Sequence, residues 1–172
     1  MQTIQEALVE MQLDSGEIVL IRRLSPFARQ ALLNRAEEIH PNPEKKLFER
    51  PLSDTVPNAM PGVMAAAEDN PDYKAALQTA KIAQMKWFND AVIQSGVVVD
   101  SKEGREQTVE RYMPRLQSLR ELLTLPDNPW LATVLYGLIT TKDDRLRIVK
   151  AAIETLTEED IRLAMRSFRS EI

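Results

Sequence analysis

A chain of 172 residues, 44% hydrophobic and 28% charged, has the size and composition of one globular domain. Its net charge of −4 lacks the basic excess that a dedicated nucleic-acid binder sets against phosphate, so no nucleic-acid partner is expected. Zero cysteines and one histidine, His40, exclude disulfides, thiol catalysis and Cys-ligated metal centres, and a His-based metal site or triad would be unusual.

Between Met1 and Leu13 there is no basic segment followed by an apolar one. Gln2, Gln5, Glu6, Glu10 and Gln12 interrupt the run, and no signal peptide is expected. The longest apolar window, Trp130 to Ile139, is half of the ~20 residues that a membrane helix needs. The expectation is a soluble cytoplasmic chain with no membrane partner. Acidic and basic residues are not segregated along the chain, which has no polybasic arm or acidic tail.

Residues 1–24 carry the strongest β signal. Val9, Met11 and Leu13 alternate with polar residues, Asp14-Ser15-Gly16 supplies turn chemistry, and EIVLIRRL follows from Glu17. The pattern predicts a β-hairpin with Gly16 at positive φ, its apolar face resting on helices. Ser25-Pro26 then reads as N-cap and first helical residue of a helix over 25–40. The predicted inward face is Phe27, Ala31, Leu32, Ala36 and Ile39, and Pro41 and Pro43 end the helix.

Residues 41–69 form a proline-rich connector without a helical or strand period. It still carries Leu47, Phe48, Leu52, Val56, Met60 and Val63, which fits a loop strapped to its own core or an arm that docks on a partner. A helical body over 70–172 follows. Asn70-Pro71-Asp72 predicts a helix start, and Ser95-Gly96 its end. Tyr73, Leu77, Ala80, Trp87 and Ala91 fall on one stripe, with Ile82, Met85, Val92 and Ile93 partly on another. Such a helix is central in its domain, or turns one stripe to a partner.

Val97-Val98-Val99 is a short β-like run. Helical period over 101–125 places Val109, Tyr112, Met113, Leu116, Leu119 and Leu123 together, and Pro114 is expected to kink or split this helix. Three short helices complete the body: Trp130–Thr140, Asp143–Glu154 presenting Leu146, Val149 and Ile153, and one opening at Thr157. The predicted fold is mainly α (α+β), a single domain over 1–172 in which the hairpin is attached to a helical body of about five or six helices.

The glycines show no phosphate-cradling or dinucleotide spacing. His40 sits at a helix end, where it reads as a cap rather than a base. Asp143-Asp144 and Glu158-Glu159-Asp160 sit in first helical turns, where carboxylates meet the helix dipole. Ser15 lies in a turn without a neighbouring base, and Arg22, Arg23, Arg29 and Arg35 read as solvated or locally paired. No catalytic residue, metal ligand or cofactor site is predicted. Trp87 and Phe88 are adjacent, about 100° apart on a helix, so one packs inward and the other lies at a boundary.

Three stretches in order, LDSGEIVLIRRLSP, the proline-rich connector and NPDYKAALQTAKIAQMKWFNDAVIQSGVVVD, carry a resemblance over residues 9–100. The order resembles tail-assembly-chaperone-like proteins of tailed bacteriophages and prophages. The resemblance implies a non-enzymatic protein in a bacterial host cytoplasm that binds helical segments of the tape-measure protein. Partner-binding candidates are Phe48, Met60, Met85, Trp87, Phe88 and Trp130, large apolar or pliable side chains suited to helix binding. The alternatives are a structural component retained in a phage or prophage particle, and a helical regulator or adaptor. Homo-oligomerisation is left open.

Overall fold

The computed structural model describes residues 8–99 and 102–153, so the expected helix from Thr157 lies outside the described residues. The chain is mainly helical with a small N-terminal antiparallel sheet, an α+β fold. Strands β1 (Leu8–Gln12) and β2 (Ile18–Arg22) form the hairpin. Gly16 N–H donates to the Leu13 carbonyl at 2.8 Å and Leu13 N–H to the Glu17 carbonyl at 2.8 Å. Gly16 has φ +87°, so the turn is a three-residue loop with its last residue left-handed, a conformation glycine adopts without a Cβ penalty.

Alternation places Val9 opposite Ile21 and Met11 opposite Val19 on the face turned to the core. Leu8, Glu10 and Gln12 point outward. Helix α1 (Pro26–Ile39) begins as its chemistry dictates: Ser25 Oγ accepts from Ala28 N–H at 3.1 Å, a cap worth about 1 kcal/mol. The predicted inward face of α1 is corrected. Phe27 is 86% exposed, Ala31 and Ile39 are also exposed, and Ala36 is the buried residue, with Leu32 and Leu33 packed beside it. A helix that covers a body along one narrow seam buries only that seam, and Phe27 lies off it.

The connector is ordered. It contains single turns of 3-10 helix at Lys45–Phe48, Leu52–Asp54 and Ala67–Asp69, and a two-residue ladder of β3 (Arg50–Pro51) with β4 (Met64–Ala65). The ladder was not legible in the sequence. Two proline turns close it. Ala59 N–H reaches the Val56 carbonyl across Pro57-Asn58, and Val63 N–H reaches the Met60 carbonyl across Pro61-Gly62. Asn58 (φ +64°) and Gly62 (φ +83°) take the left-handed third position that such turns require.

Helix α2 (Pro71–Gly96) is the longest, and its Asn70 cap accepts from Asp72 N–H at 2.9 Å. It runs straight into β5 (Val97–Val98), which pairs with β2 to give a sheet ordered β1-β2-β5. Gly96 lets that junction pack closely. A Cβ there would sit 3.3 Å from the Ala152 Cβ and 3.6 Å from the Arg22 carbonyl oxygen.

Helix α3 (Lys102–Arg120) continues through Pro114 without splitting, and ends earlier than the period suggested. Leu122 and Leu123 lie beyond it, exposed. Helix α4 (Pro129–Ala132) opens into a wide-turn π segment, Thr133–Leu138, closed by Ile139 N–H donating to the Val134 carbonyl at 3.1 Å. Helix α5 (Lys142–Ala152) follows, and Ala152 returns to the sheet by accepting from Leu24 N–H at 2.8 Å. On α5, Ile148 and Val149 are the buried apolar centre, whereas Leu146 is only half-buried.

One core runs from Leu13 to Ile153. Its centre is Ile21, Val92, Ile93, Val134 and Ile148, drawn from the sheet, α2, the π segment and α5. No described helix is long and apolar enough to cross a membrane.

Candidate functional site: a strapped apolar arm and a tryptophan cleft

The connector is fastened at three points, two of them polar side chains that meet backbone and the third an ion pair. Gln84, nearly buried on α2, donates Nε2 to the His40 carbonyl at 2.6 Å and to Asn42 Oδ1 at 3.0 Å. Asn70 caps α2 with its oxygen and donates Nδ2 to the Phe48 carbonyl at 2.9 Å. Lys45 pairs with Glu68 across the arm. The hydrogen bond and charge of that pair hold the Lys45 ammonium above its usual range and the Glu68 carboxyl below its own. Phe48 stands edge-on to Tyr73, ring centroids 5.6 Å apart, and is half-buried.

So fastened, the arm nevertheless leaves large apolar side chains in water. Leu47 is 67% exposed and Met60 75%, and Val56, Val63 and Met64 are each more than two-fifths exposed. An ordered backbone that displays this many apolar groups within residues 47–64 has the character of an interaction surface.

The second feature lies where four helices meet. Trp87, Ala91, Gln94 and Ser95 fall on one face of α2, facing Leu32 of α1, Arg105 of α3, and Asn128 and Trp130 at the start of α4. They line an open cleft of about 490 Å³. Asn128 fixes the far wall, its Oδ1 accepting from Trp130 N–H at 3.0 Å and Leu131 N–H at 3.1 Å. The Arg105 guanidinium lies 4.9 Å from the Trp130 ring centroid, a cation–π contact.

The six partner-binding candidates therefore separate by environment. Met60 is on the arm surface, and Phe48 is at the arm's root. Trp87 lines the cleft at the boundary of the core, while Phe88 is 2% exposed and offers a partner no surface. Met85 is packed against the core, and Trp130 is 6% exposed but forms part of the cleft wall. Phe88 is thus a core residue and Trp87, about 100° away on the helix, lies at the boundary.

His40 is the C-cap residue of α1, using its backbone: N–H donates to the Ala36 carbonyl at 2.9 Å and its carbonyl receives Gln84. Ser15 Oγ donates to the Leu138 carbonyl at 3.4 Å, a tertiary tie at the hairpin turn. Among the described residues, no group of three or more His, Asp or Glu side chains could hold a metal ion.

Asp144 exceeds its expected role. It does sit in the first turn of α5, but its fully buried carboxylate also receives Asp14 N–H at 2.9 Å on Oδ2 and Arg147 Nη1 at 3.0 Å on Oδ1. Thr141 Oγ1 accepts from Asp144 N–H at 3.1 Å and donates to Asp14 Oδ2 at 2.7 Å. Arg147 Nη2 donates to the Gln12 carbonyl at 3.1 Å. These groups clamp the hairpin turn to the start of α5.

A third polar knot closes the other side of the hairpin. Tyr112 O–H donates to Glu17 Oε1 at 3.0 Å, and Arg111 Nη1 reaches the same oxygen at 3.2 Å. Burial, reinforced by the Glu17 carboxylate, pushes the Tyr112 phenol up from its ordinary range. The Tyr112 ring rests on Gly137 of the π segment, where a Cβ would come within 2.9 Å of its Cγ. The wide turn is also held by Arg145, whose Nη2 donates to the Leu135 carbonyl at 2.9 Å.

Comparison with known proteins adds no family: no protein-family description, curated protein or solved structure matches this chain.

Proposed function

We propose that this chain is a non-enzymatic tail assembly chaperone of the tailed-phage or prophage type, which binds apolar helical segments of the tape-measure protein in the cytoplasm of a bacterial host. The observation that carries the reading is the ordered connector that leaves Leu47, Val56, Met60, Val63 and Met64 exposed. A chaperone for a long helical client meets many similar apolar surfaces in succession. Methionine thioethers suit that task, because an unbranched, polarizable chain repacks against each of them. The resemblance over residues 9–100 supplies the client.

A second reading is a structural component that stays in the particle. It is favoured by the Gln84, Asn70 and Lys45 fastenings, since a pre-ordered surface suits a fixed, stoichiometric interface.

The test is affinity capture from host lysate during particle assembly, read by mass spectrometry, beside the protein content of finished particles. The chaperone reading expects one very long, helix-rich protein in the capture and no copy of this chain in the particle. A triple variant, Leu47→Ser, Met60→Ser and Met64→Ser, is expected to lose the capture while its stability stays within about 1 kcal/mol of the parent, as substitutions at exposed positions do. Recovery of tube, baseplate or head proteins in fixed ratio, with this chain in the particle, would favour the component. An unchanged capture by the triple variant would remove the arm from either reading.

A further inference from the structure

The tryptophan cleft differs chemically from the arm, and the difference names a ligand. Its apolar lining is Leu32, Ala91 and the two indoles, beside the polar Gln94, Ser95 and Asn128. Its charge is one-sided. Arg105 is the cation at its edge, and no carboxylate lines it. Among the described residues Arg105 has no ion-pair partner, and its recorded contact is the Trp130 ring. Guanidinium groups on helix surfaces commonly find an acidic neighbour at i±3 or i±4, as Arg35 does with Glu38. A guanidinium whose Cζ lies over an indole, as that of Arg105 does at 4.9 Å, instead keeps N–H groups available for a carboxylate.

The amide of Gln94 and the hydroxyl of Ser95 add neutral hydrogen-bonding groups on the α2 side. The cleft is broad and open rather than enclosed, a shape that admits side chains presented by another surface better than it retains a small molecule.

We propose that this cleft is a docking site for a partner segment presenting an acidic side chain beside an aromatic or aliphatic one. The apolar group seats between Trp87 and Trp130, and the carboxylate meets Arg105. The proposal rests on the reading of the chain as a protein-binding protein and gives that reading a second, charge-selective contact.

The sequence supplies the reporter. Trp87 and Trp130 are its two tryptophans and both line this cleft, so tryptophan emission reads the site without labelling. The probe is a tryptophan-free, alanine-based helical peptide with Phe and Glu four residues apart on one face, compared with its Glu→Gln counterpart. The acidic peptide is expected to change the emission saturably at sub-millimolar to millimolar concentration, and the Gln peptide to bind about tenfold more weakly. Arg105→Gln in the full chain should abolish that preference. Arg115→Gln, an exposed residue of the same helix outside the cleft, should leave it intact.

No saturable change at about 1 mM peptide would overturn the proposal, since that concentration already detects weak contacts. So would equal affinity for the two peptides, or a preference that survives Arg105→Gln. The peptide carries no arm-binding client, so the outcomes are separable from those of the capture. A null emission result beside an intact capture removes the cleft alone, and the reverse removes the chaperone alone.

Discussion

At the scale of single residues, two contacts decide more than their size suggests. Gly137 has no room for a methyl group, because Tyr112 Cγ and Cβ would lie 2.9 and 3.0 Å from it. Those atoms are the stiff root of the ring, not a flexible tip, so relief requires movement of α3 against the π segment. Gly137→Ala is expected to destabilise by about 1–3 kcal/mol in urea unfolding, the usual range for an overpacked site. Tyr112→Phe keeps the packing and removes the bond to Glu17, at about 1 kcal/mol. It also has a pH signature. The raised phenol pKa means that the folded chain holds this proton more tightly than the unfolded chain, whose tyrosine ionises near pH 10. Its contribution is whole below about pH 10 and is lost as the pH climbs through the raised value. Melting temperatures of parent and Tyr112→Phe should therefore converge in strong alkali. A constant gap from pH 7 upward would assign the difference to packing alone.

At the scale of elements, the parts legible in the sequence are those set by neighbouring residues. The starts of α1 and α2 follow from Ser25-Pro26 and Asn70-Pro71, since a cap bond spans two or three residues. The hairpin turn follows from Asp14-Ser15-Gly16 for the same reason. What was not legible depends on distant partners. Three valines after Gly96 announce a strand, but nothing local says that β5 pairs with β2. Asp144 satisfies a helix-start rule completely, and its role as receiver of Asp14 N–H rests on a residue 130 positions away. Phe27 belongs to an apolar period that the body does not use. Of the candidate site, Trp87 and Trp130 were visible as aromatic residues on separate helices. Their convergence on one cleft with Arg105 was not.

The clamp can be tested as an element. Asp144→Ala removes the buried acceptor of the Asp14 N–H and of the half-exposed Arg147 guanidinium, and should cost about 2 kcal/mol. Asp144→Asn retains an acceptor and should cost about 1 kcal/mol, a difference that denaturant titration resolves. Equal losses would mean that the site tolerates water and that the clamp contributes little.

At the scale of the molecule, stability is expected to be graded. Ile21, Val92, Ile93 and Ile148 lie at the centre of the core, and their amides should exchange with solvent only through global unfolding. The connector is held by a short ladder, two proline turns and a few polar fastenings. Its Leu52 and Val63 amides should exchange through local opening, orders of magnitude faster. Uniform protection across both would instead make the arm part of the same cooperative unit, and a partner would then meet a rigid surface.

The clamp between Asp14 and Asp144 also sets an order of events during synthesis. The hairpin is made first, yet the residue that secures its turn follows 130 positions later. At roughly 5–20 residues per second, translation separates the two by about 7–26 s. For the first part of that interval Val19 and Ile21 lack α2 and β5, which are complete only at Val98, and throughout it they lack α5. The nascent chain is thus itself an apolar client until its last described helix is complete, and ribosome-stalled chains should acquire protease resistance only once α5 has cleared the exit.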